Sequence, residues 1–414
     1  MSHHVAICSL LSGWIYAKAT NENASIADFS THLPSLDQYL PKSMEVKFYP
    51  AVDITNKLCT YAIVSTNDCI YLVFRGSVTV MDFVIDVSLA PEKIGKCWIT
   101  SGHYAALKTV LENIFLELTK LKPKKIFVTG HSLGGALSQL FGYLCKEKID
   151  TGIKPLAEEL IAGLVVYSFA SPLIRWEEPT TTEIKEVEEA NKVEPAPERT
   201  WTGRATVIFF KKISCIIVII FIFIIIEDFF YGRNAPRPPL ERFIVPASMH
   251  SRFLPQFDYI INFVFDRDFV PRYPFATKFR WTLKNLLEYA AESSNTSLLT
   301  FLHSIKGDKG AQGITNVIPA IVVGYLPLGR TVLFGPTIRL ADKVSEAPDN
   351  SWFTKEFDKA GSAVEDDGWI VADHGITLGY ARLYKEQKFL DSLNSTLFRN
   401  TGSGGDSQGS RDKR

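Results

Sequence analysis

Apolar, β-branched runs of strand length alternate along the chain with longer segments of helical spacing. Strands are predicted at 60–65, 69–74, 124–130, 163–170, 259–265, 319–326 and 331–335. Helices are predicted at Tyr104–Lys120, Leu133–Lys148 and Lys278–Glu292, with a last one that begins near Gly375. This succession of strands and helices predicts an α/β protein whose mostly parallel sheet is covered by helices on both faces.

The N-terminal segment has helical spacing but no secretion signal. Its large apolar residues recur at the spacing of one helix face and are Val5, Leu10, Leu11, Trp14 and Ile15. We therefore expect a short amphipathic helix that lies on the domain. Because the segment lacks a basic start and a polar break ends its apolar run early, we do not expect a secreted protein.

The alternation is interrupted between residues 176 and 246. This segment is first rich in Glu and Pro, then intensely apolar over 205–231, and then rich in Pro again. We expect an insertion that divides a single domain into 1–175 and 247–400, with a solvated, flexible linker over 177–198. The Gly- and Ser-rich tail at 401–414 is expected to be disordered.

The centre of the apolar part, Ile213–Ile226, contains no charged residue. As a helix it is about 21 Å long, which is shorter than the roughly 30 Å hydrocarbon core of a bilayer. Its insertion free energy still favours a membrane by several kcal/mol, so we expect association with a membrane or lipid-droplet surface through 205–231. A buried strand or core helix is the alternative, because the Ile, Phe and Val content suits both.

Composition narrows the class of protein. Of the 414 residues, 46% are apolar and 22% are charged, and the 45 basic residues balance the 45 acidic ones. Such a chain can bury a full core, and it lacks the basic surplus of a nucleic-acid-binding protein. The six cysteines form no C-x-x-C pair, so we expect neither a disulfide framework nor a zinc site, and reduced thiols favour the cytoplasm.

The strongest chemical signal is Gly130-His131-Ser132-Leu133-Gly134, which lies between a predicted strand and a predicted helix. In that context G-x-S-x-G forms a sharp turn that exposes the serine hydroxyl as a nucleophile. The N–H of Leu133 then lies at a helix N-terminus, where it can stabilise an oxyanion. A second oxyanion donor is expected from Ser77, through its N–H and hydroxyl, although a plain polar turn is the alternative for its segment Phe74–Ser77.

Several motifs in a fixed order resemble the class 3 lipases, a family of α/β-hydrolases. They are FRGS followed by two aspartates, VTGHSLGGALSQL, VVYSFASP, FDRDFVPRYP and DHGITLGY, and they extend from about residue 60 to 385 apart from the insertion. The resemblance implies an α/β-hydrolase fold and serine-dependent hydrolysis of lipid carboxylic esters, of acylglycerol or phospholipid type, without a metal or organic cofactor. The apolar positions within 80–85 resemble the family's lid, with a buried helix turn as an equal alternative.

A serine nucleophile needs a histidine base that a carboxylate orients. In α/β-hydrolases the chain order is serine, acid and histidine, which leaves His303 and His374 as candidate bases. The resemblance favours His374, which begins the HGITLGY motif. It favours Asp268 as the acid, because Asp268 lies in the family's D-x-V-P element, and Asp266 is the alternative.

Chain topology limits how the apolar segment can meet a membrane. Ser132 precedes 205–231, whereas Asp268 and His374 follow it. A single crossing would separate them, so an active enzyme requires a segment that is re-entrant, interfacial or packed on the domain. The sequence therefore predicts a cytoplasmic, membrane-associated lipid-ester hydrolase. The runner-up is a catalytically silent lipase-fold protein that binds lipid or a protein partner.

Overall fold

In a computed structural model of the chain, the described residues are 2–26, 44–50, 59–67, 69–77, 91–192, 252, 257–265, 268, 270–271, 324–334, 344–346, 374–386 and 391. The strands within these ranges are β1 (Glu45–Tyr49), β2 (Tyr61–Ser65), β3 (Ile70–Phe74), β4 (Pro91–Ile94), β5 (Cys97–Thr100), β6 (Ile126–His131), β7 (Leu164–Phe169), β8 (Arg175–Trp176), β9 (Ile260–Phe265), β10 (Tyr325–Leu326), β11 (Arg330–Phe334) and β12 (Val344–Glu346). The helices are α1 (Ser2–Thr20), α2 (Ser101–Leu121), α3 (Leu133–Lys146), α4 (Glu158–Ala162), α5 (Thr181–Lys192) and α6 (Arg382–Lys385), and a π-helix at Ile376–Tyr380 precedes α6.

Eight strands form the main sheet in the order β1-β2-β3-β6-β7-β9-β11-β12. The strands from β3 to β11 run parallel, while β1, β2 and β12 extend the sheet in antiparallel fashion. The predicted α/β class with a largely parallel sheet is therefore confirmed. The two strands predicted at 60–65 and 69–74 are antiparallel neighbours, since Ser65 pairs with Ile70.

The central strands of the main sheet, β2, β3, β6, β7 and β9, face two separate apolar cores. Consecutive side chains of a strand point to opposite faces, so Leu72 and Val128 pack with α2 and α3 on one face. Tyr71 and Phe127 pack with α1 on the other face. The strands are buried on both sides, which explains why the sequence shows near-continuous apolar runs there rather than alternation.

The structure corrects the prediction of an amphipathic first helix. Residues 5–15 of α1 are buried on every side, because one side packs on the sheet and another is covered by the π-helix and α6. The polar side chains within α1 are satisfied internally. Ser9 Oγ donates to the Tyr380 carbonyl at 2.9 Å, and Ser12 Oγ bonds Thr129 Oγ1 at 3.0 Å. Internal hydrogen bonding removes the need for a solvent-facing side of the helix.

A second sheet, in the order β10-β8-β5-β4, is not predicted by the sequence analysis. Its strands are too short to give a periodic signal, since β8 and β10 have two residues each. The β4–β5 hairpin turns at Gly95, whose φ is 59°. The expected insertion begins at residue 176, which is the last residue of β8 in this sheet.

The expected linker over 177–198 is in part a packed helix. Residues Thr181–Lys192 form α5, in which Glu183 is buried. Arg252 binds two glutamates near the start of this stretch, with Nη1 at 2.8 Å from Glu183 Oε2 and Nε at 3.0 Å from Glu177 Oε2. Two of its glutamates therefore form an ion-pair cluster with Arg252.

Several sequence predictions fall outside the described residues. They are the lid positions within 80–85, the apolar segment 205–231, the helix at 278–292, the alternatives Asp266 and His303, and the tail at 401–414. Within the described ranges, no helix combines the length and the apolar character needed to cross a membrane.

The environment of His4 predicts a pH-dependent stability. Its Nδ1 lies 2.8 Å from the Tyr71 hydroxyl, its ring stacks on Phe127 at 4.0 Å between centroids, and burial lowers its pKa to about 3. The unfolded chain takes up a proton at His4 near pH 6.5, whereas the folded chain does not. Folding stability contributed by neutral His4 is therefore lost progressively as the pH falls from about 6.5 toward 3.

We expect His4→Gln to reduce the number of protons taken up on unfolding at pH 5 by up to about one. The measurement is the slope of the unfolding free energy against pH, from urea titrations between pH 7 and 5, for the wild type and the variant. Equal slopes for the two proteins would contradict the prediction.

Candidate active site

Ser132 occupies a strained turn between β6 and α3. Its φ is 57°, in the left-handed region that a non-glycine residue rarely adopts. The turn is held because the Ser132 N–H donates to the Phe169 carbonyl at 2.9 Å. It also needs glycine at 134, since a Cβ there would lie 2.3 Å from the Phe74 carbonyl oxygen. Strain that the surroundings enforce in this way is typical of a functional residue.

His374 connects Ser132 to Asp268. Its Nε2 lies 3.1 Å from Ser132 Oγ, and its Nδ1 lies 3.0 Å from Asp268 Oδ1. Because a carboxylate only accepts hydrogen bonds, the neutral imidazole carries its proton on Nδ1, and the lone pair of Nε2 faces the serine hydroxyl and can accept its proton. His374 is the residue immediately before the turn into the π-helix.

Asp268 is fully buried, and each of its oxygens has a partner. Oδ1 accepts the N–H of Val270 at 3.0 Å in addition to the His374 ring. Oδ2 accepts the hydroxyl of Tyr380, which in turn accepts the N–H of Phe265 at 3.1 Å. A buried charge requires such partners, and here they also set the direction in which Asp268 faces His374.

The two predicted oxyanion donors lie on neighbouring parts of the sheet edge. Leu133 is the first residue of α3, so its N–H has no carbonyl partner within the helix. Ser77 lies three residues beyond the end of β3, which is the parallel neighbour of β6. The intervening Gly76 touches the turn directly, because a Cβ on it would be 2.5 Å from the His131 carbonyl oxygen.

His131, next to the nucleophile, makes structural contacts rather than acting as a base. Its Nε2 lies 2.7 Å from the His374 carbonyl oxygen, and its Nδ1 lies 3.0 Å from the Tyr16 hydroxyl. Burial and the nearby His374 hold the pKa of His131 well below 6.5. The ring is therefore neutral, and it cannot compete with His374 for the Ser132 proton because both of its nitrogens are engaged elsewhere.

The structure brings together the three residues that the sequence proposes as a triad, Ser132, His374 and Asp268. It does not describe Asp266 or His303. Sequence reasoning missed the contacts of Tyr16 and Tyr380, which are distant from Ser132 along the chain. Tyr380 could have been noticed, because it ends the same HGITLGY motif that begins with His374. Among the described residues, no group of three or more His, Cys, Asp or Glu could hold a metal ion.

The order of the main sheet, the strained serine turn after β6 and the Ser–His–Asp contacts define an α/β-hydrolase fold. Within that class, residues 71–192 match the family model for Lipase (class 3). This part of the chain, which holds the serine turn, is therefore similar to the class 3 lipases. A comparison with curated protein sequences gave no match.

Fungal lipases are among the solved structures that resemble the chain. Native Rhizomucor miehei lipase in its propeptide complex is 20% identical over 42% of this chain and 53% of its own, with a TM-score of 0.32. The triacylglyceride lipase of the same organism is 15% identical over 65% and 72%, with a TM-score of 0.33. The lipase of Rhizopus microsporus var. chinensis is 14% identical over 65% and 68%, with a TM-score of 0.35.

These overlaps are partial. The chain spans between 52% and 63% of the length of the first four matched lipase structures. The fold class accordingly follows from the sheet order and the serine turn rather than from the superpositions.

Proposed function

We propose that the protein is a serine carboxylic-ester hydrolase that acts on lipid esters through Ser132, His374 and Asp268. One observation carries the proposal: Ser132 Oγ, the His374 ring and the Asp268 carboxylate form a continuous hydrogen-bonded series, with distances of 3.1 and 3.0 Å. A serine at this kind of strained turn, paired with a histidine that a buried carboxylate orients, is the arrangement that nucleophilic acyl transfer requires.

Each residue has a distinct role in the proposed reaction. Ser132 Oγ attacks the ester carbonyl while His374 Nε2 takes its proton, and the same proton then passes to the leaving alcohol. A water molecule, deprotonated by His374, next attacks the acyl-enzyme and releases the fatty acid and free Ser132. Asp268 keeps Nδ1 protonated and stabilises the imidazolium that forms in both steps.

The oxyanion of each tetrahedral intermediate would be stabilised by the Leu133 N–H and by Ser77. Leu133 supplies a donor at the N-terminal end of a 14-residue helix, where the helix dipole also favours negative charge. The proposed role of Ser77 is supported by its neighbour Gly76, which lies against the serine turn. No step requires a metal ion or an organic cofactor.

Ser77→Ala is expected to lower kcat by about tenfold to a hundredfold, less than the loss for Ser132→Ala, because the backbone N–H at position 77 remains. The matched control is Ser77→Thr, which retains the hydroxyl and should keep most of the activity. Turnover of a water-soluble ester measures the effect. An unchanged kcat in Ser77→Ala would mean that the side chain does not bind the oxyanion.

The class 3 lipase match supports lipid esters as the substrate class. Acylglycerols and phospholipids both carry the required carboxylic ester, and a panel of such lipids with purified protein would distinguish them. We further propose one catalytic domain, 1–175 and 247–400, that a membrane-directed insertion at 176–246 interrupts.

A cytoplasmic, membrane-associated location is part of this proposal. Its support is the charge-free run Ile213–Ile226. Residues before and after that run meet at one site, since Ser132 contacts His374. The apolar segment must therefore begin and end on the same side of a membrane, as an interfacial or re-entrant segment does.

A fluorophosphonate probe tests the proposed chemistry. It labels an activated serine covalently, so wild-type protein should be labelled at Ser132 and should hydrolyse esters, whereas Ser132→Ala should do neither. Labelling without hydrolysis of any lipid ester would redirect the search to another acyl substrate. Absence of labelling in folded wild-type protein would favour the catalytically silent lipid- or protein-binding alternative.

A further inference from the structure

Tyr16 reaches the active site from the first helix although it is far from the triad in sequence. Its hydroxyl lies 3.0 Å from His131 Nδ1 and 3.4 Å from the His131 carbonyl oxygen. It also fills the space beside Gly76, since a Cβ on that glycine would lie 1.8 Å from the Tyr16 oxygen. One hydroxyl group thus contacts both the serine turn and the segment that leads to Ser77.

The direction of the hydrogen bonds follows from the acceptor at the far end. His131 Nε2 faces the His374 carbonyl oxygen at 2.7 Å, and a carbonyl can only accept, so Nε2 carries the proton. In the neutral ring Nδ1 then has a lone pair, which accepts the Tyr16 hydroxyl. Tyr16 therefore holds His131 in the tautomer and orientation that bind the His374 backbone.

We propose that Tyr16 is a positioning residue for the catalytic base: through His131 it fixes the backbone of His374, and so keeps the His374 ring between Ser132 and Asp268. This inference rests on the proposed function. The His374 carbonyl oxygen accepts a hydrogen bond from His131 Nε2, and His131 belongs to the serine turn and contacts Tyr16 of α1. The rings of His131 and His374 also pack together, with centroids 4.7 Å apart.

Helix α1 also binds Tyr380, the last residue of the π-helix that follows His374. Ser9 Oγ donates to the Tyr380 carbonyl at 2.9 Å, and Tyr380 bonds Asp268. Helix α1 therefore positions both the base, through Tyr16 and His131, and the support of the acid, through Ser9 and Tyr380. This explains physically why α1 is buried between the sheet and the π-helix rather than laid on the surface.

Tyr16→Phe removes only the hydroxyl and leaves the ring in place. We expect kcat for a water-soluble ester to fall about tenfold with KM within about twofold, because small misplacement of a base slows the chemical step. The rate of fluorophosphonate labelling should fall in the same proportion. A merely structural role would lower thermal stability without this selective loss in kcat and labelling rate.

Ser12→Ala is the matched control. It removes another buried hydroxyl from α1, one whose described hydrogen bond is to Thr129 Oγ1 at 3.0 Å rather than to His131 or the triad. It should lower the melting temperature and leave kcat near the wild-type value. Equal kcat losses in Ser12→Ala and Tyr16→Phe would overturn the proposal.

A double-mutant cycle with His131→Ala tests the route. If Tyr16 acts through His131, adding Tyr16→Phe to His131→Ala should cost little further activity. Multiplicative losses would mean that Tyr16 acts independently, which overturns the inference. If His131→Ala does not fold, the comparison of Tyr16→Phe with Ser12→Ala decides alone. Wild-type protein that neither hydrolyses esters nor is labelled would instead refute the proposed function itself.

Discussion

Ser132→Ala is expected to lower the turnover of a water-soluble ester by about 10⁴-fold or more while leaving the protein folded. The variant loses the nucleophile, and neither His131 nor Ser77 can replace it. His131 is neutral with both nitrogens engaged, and Ser77 lies on a different segment, beyond the end of β3. Steady-state kinetics with a short-chain ester, together with thermal unfolding by circular dichroism, measure the two parts of this expectation.

His374→Ala and Asp268→Asn should be nearly as inactive as Ser132→Ala. The three residues act as one unit, because Ser132 is a poor nucleophile without His374 and His374 takes the wrong tautomer without a carboxylate at 268. Double mutants within the triad should therefore lose little more than single mutants. Independent, multiplicative losses would show that the three side chains do not cooperate.

His303→Ala and Asp266→Asn are the controls for the choice of base and acid. Both residues satisfy the chain order that the sequence requires, so they test the assignment rather than the general importance of His or Asp. Each control should retain most of the wild-type activity. An inactive His303→Ala beside an active His374→Ala would show that the base is misassigned.

The residues of the candidate site were accessible from the sequence because each lies in a local motif. Ser132 is flanked by the glycines of a strand-to-helix turn, and His374 and Asp268 lie in motifs that follow it in a fixed order. The structure then brings these three side chains within hydrogen-bonding distance. Local motifs are enough to identify the triad here because β6 and β9 belong to the same sheet, and Ser132 and Asp268 follow their ends.

The supporting contacts were not accessible in this way. Tyr16 and His131 are 115 positions apart, and no local pattern links a tyrosine near the chain start with a histidine in a serine turn. The amphipathic character predicted for α1 is wrong for a related reason. Ser9 and Ser12 interrupt its apolar pattern, yet both are satisfied inside the protein by groups from other elements.

The second sheet and α5 show two further limits of prediction from local sequence patterns. Strands of two residues carry no measurable alternation, and β8 and β10 form only because longer elements hold them together. The Glu-rich stretch before the apolar segment resembles a solvated tether by composition alone. Its ion pairs depend on Arg252, which lies beyond the insertion in the sequence. A pattern within the Glu-rich stretch therefore cannot predict them.

Removal of 205–231 is expected to move the protein from the membrane fraction to the soluble fraction. The run Ile213–Ile226 contributes about 4 kcal/mol or more toward membrane insertion, which corresponds to roughly a thousandfold in partitioning. Hydrolysis of a water-soluble ester should persist, whereas hydrolysis of lipid in bilayers should fall because the site no longer meets the interface. Fractionation and these two substrates measure the outcome.

The contacts around the insertion explain why the shortened chain should still fold. Arg252 stays paired with Glu177 and Glu183, so the chain is anchored to the domain on both sides of the deletion. Residues 193–204 and 232–251 are retained to connect these anchors. The triad residues lie outside the deleted range, and none of their described contacts comes from it.

A charge variant separates loss of membrane binding from damage caused by deletion. Ile219→Lys combined with Ile222→Lys keeps the chain length but adds an insertion cost of about 2.5–3.5 kcal/mol per lysine. It should release the protein as the deletion does and leave soluble-ester activity intact. If both variants aggregate or lose both activities, the segment belongs to the core of the protein. If both stay with the membrane in active form, another surface binds the bilayer.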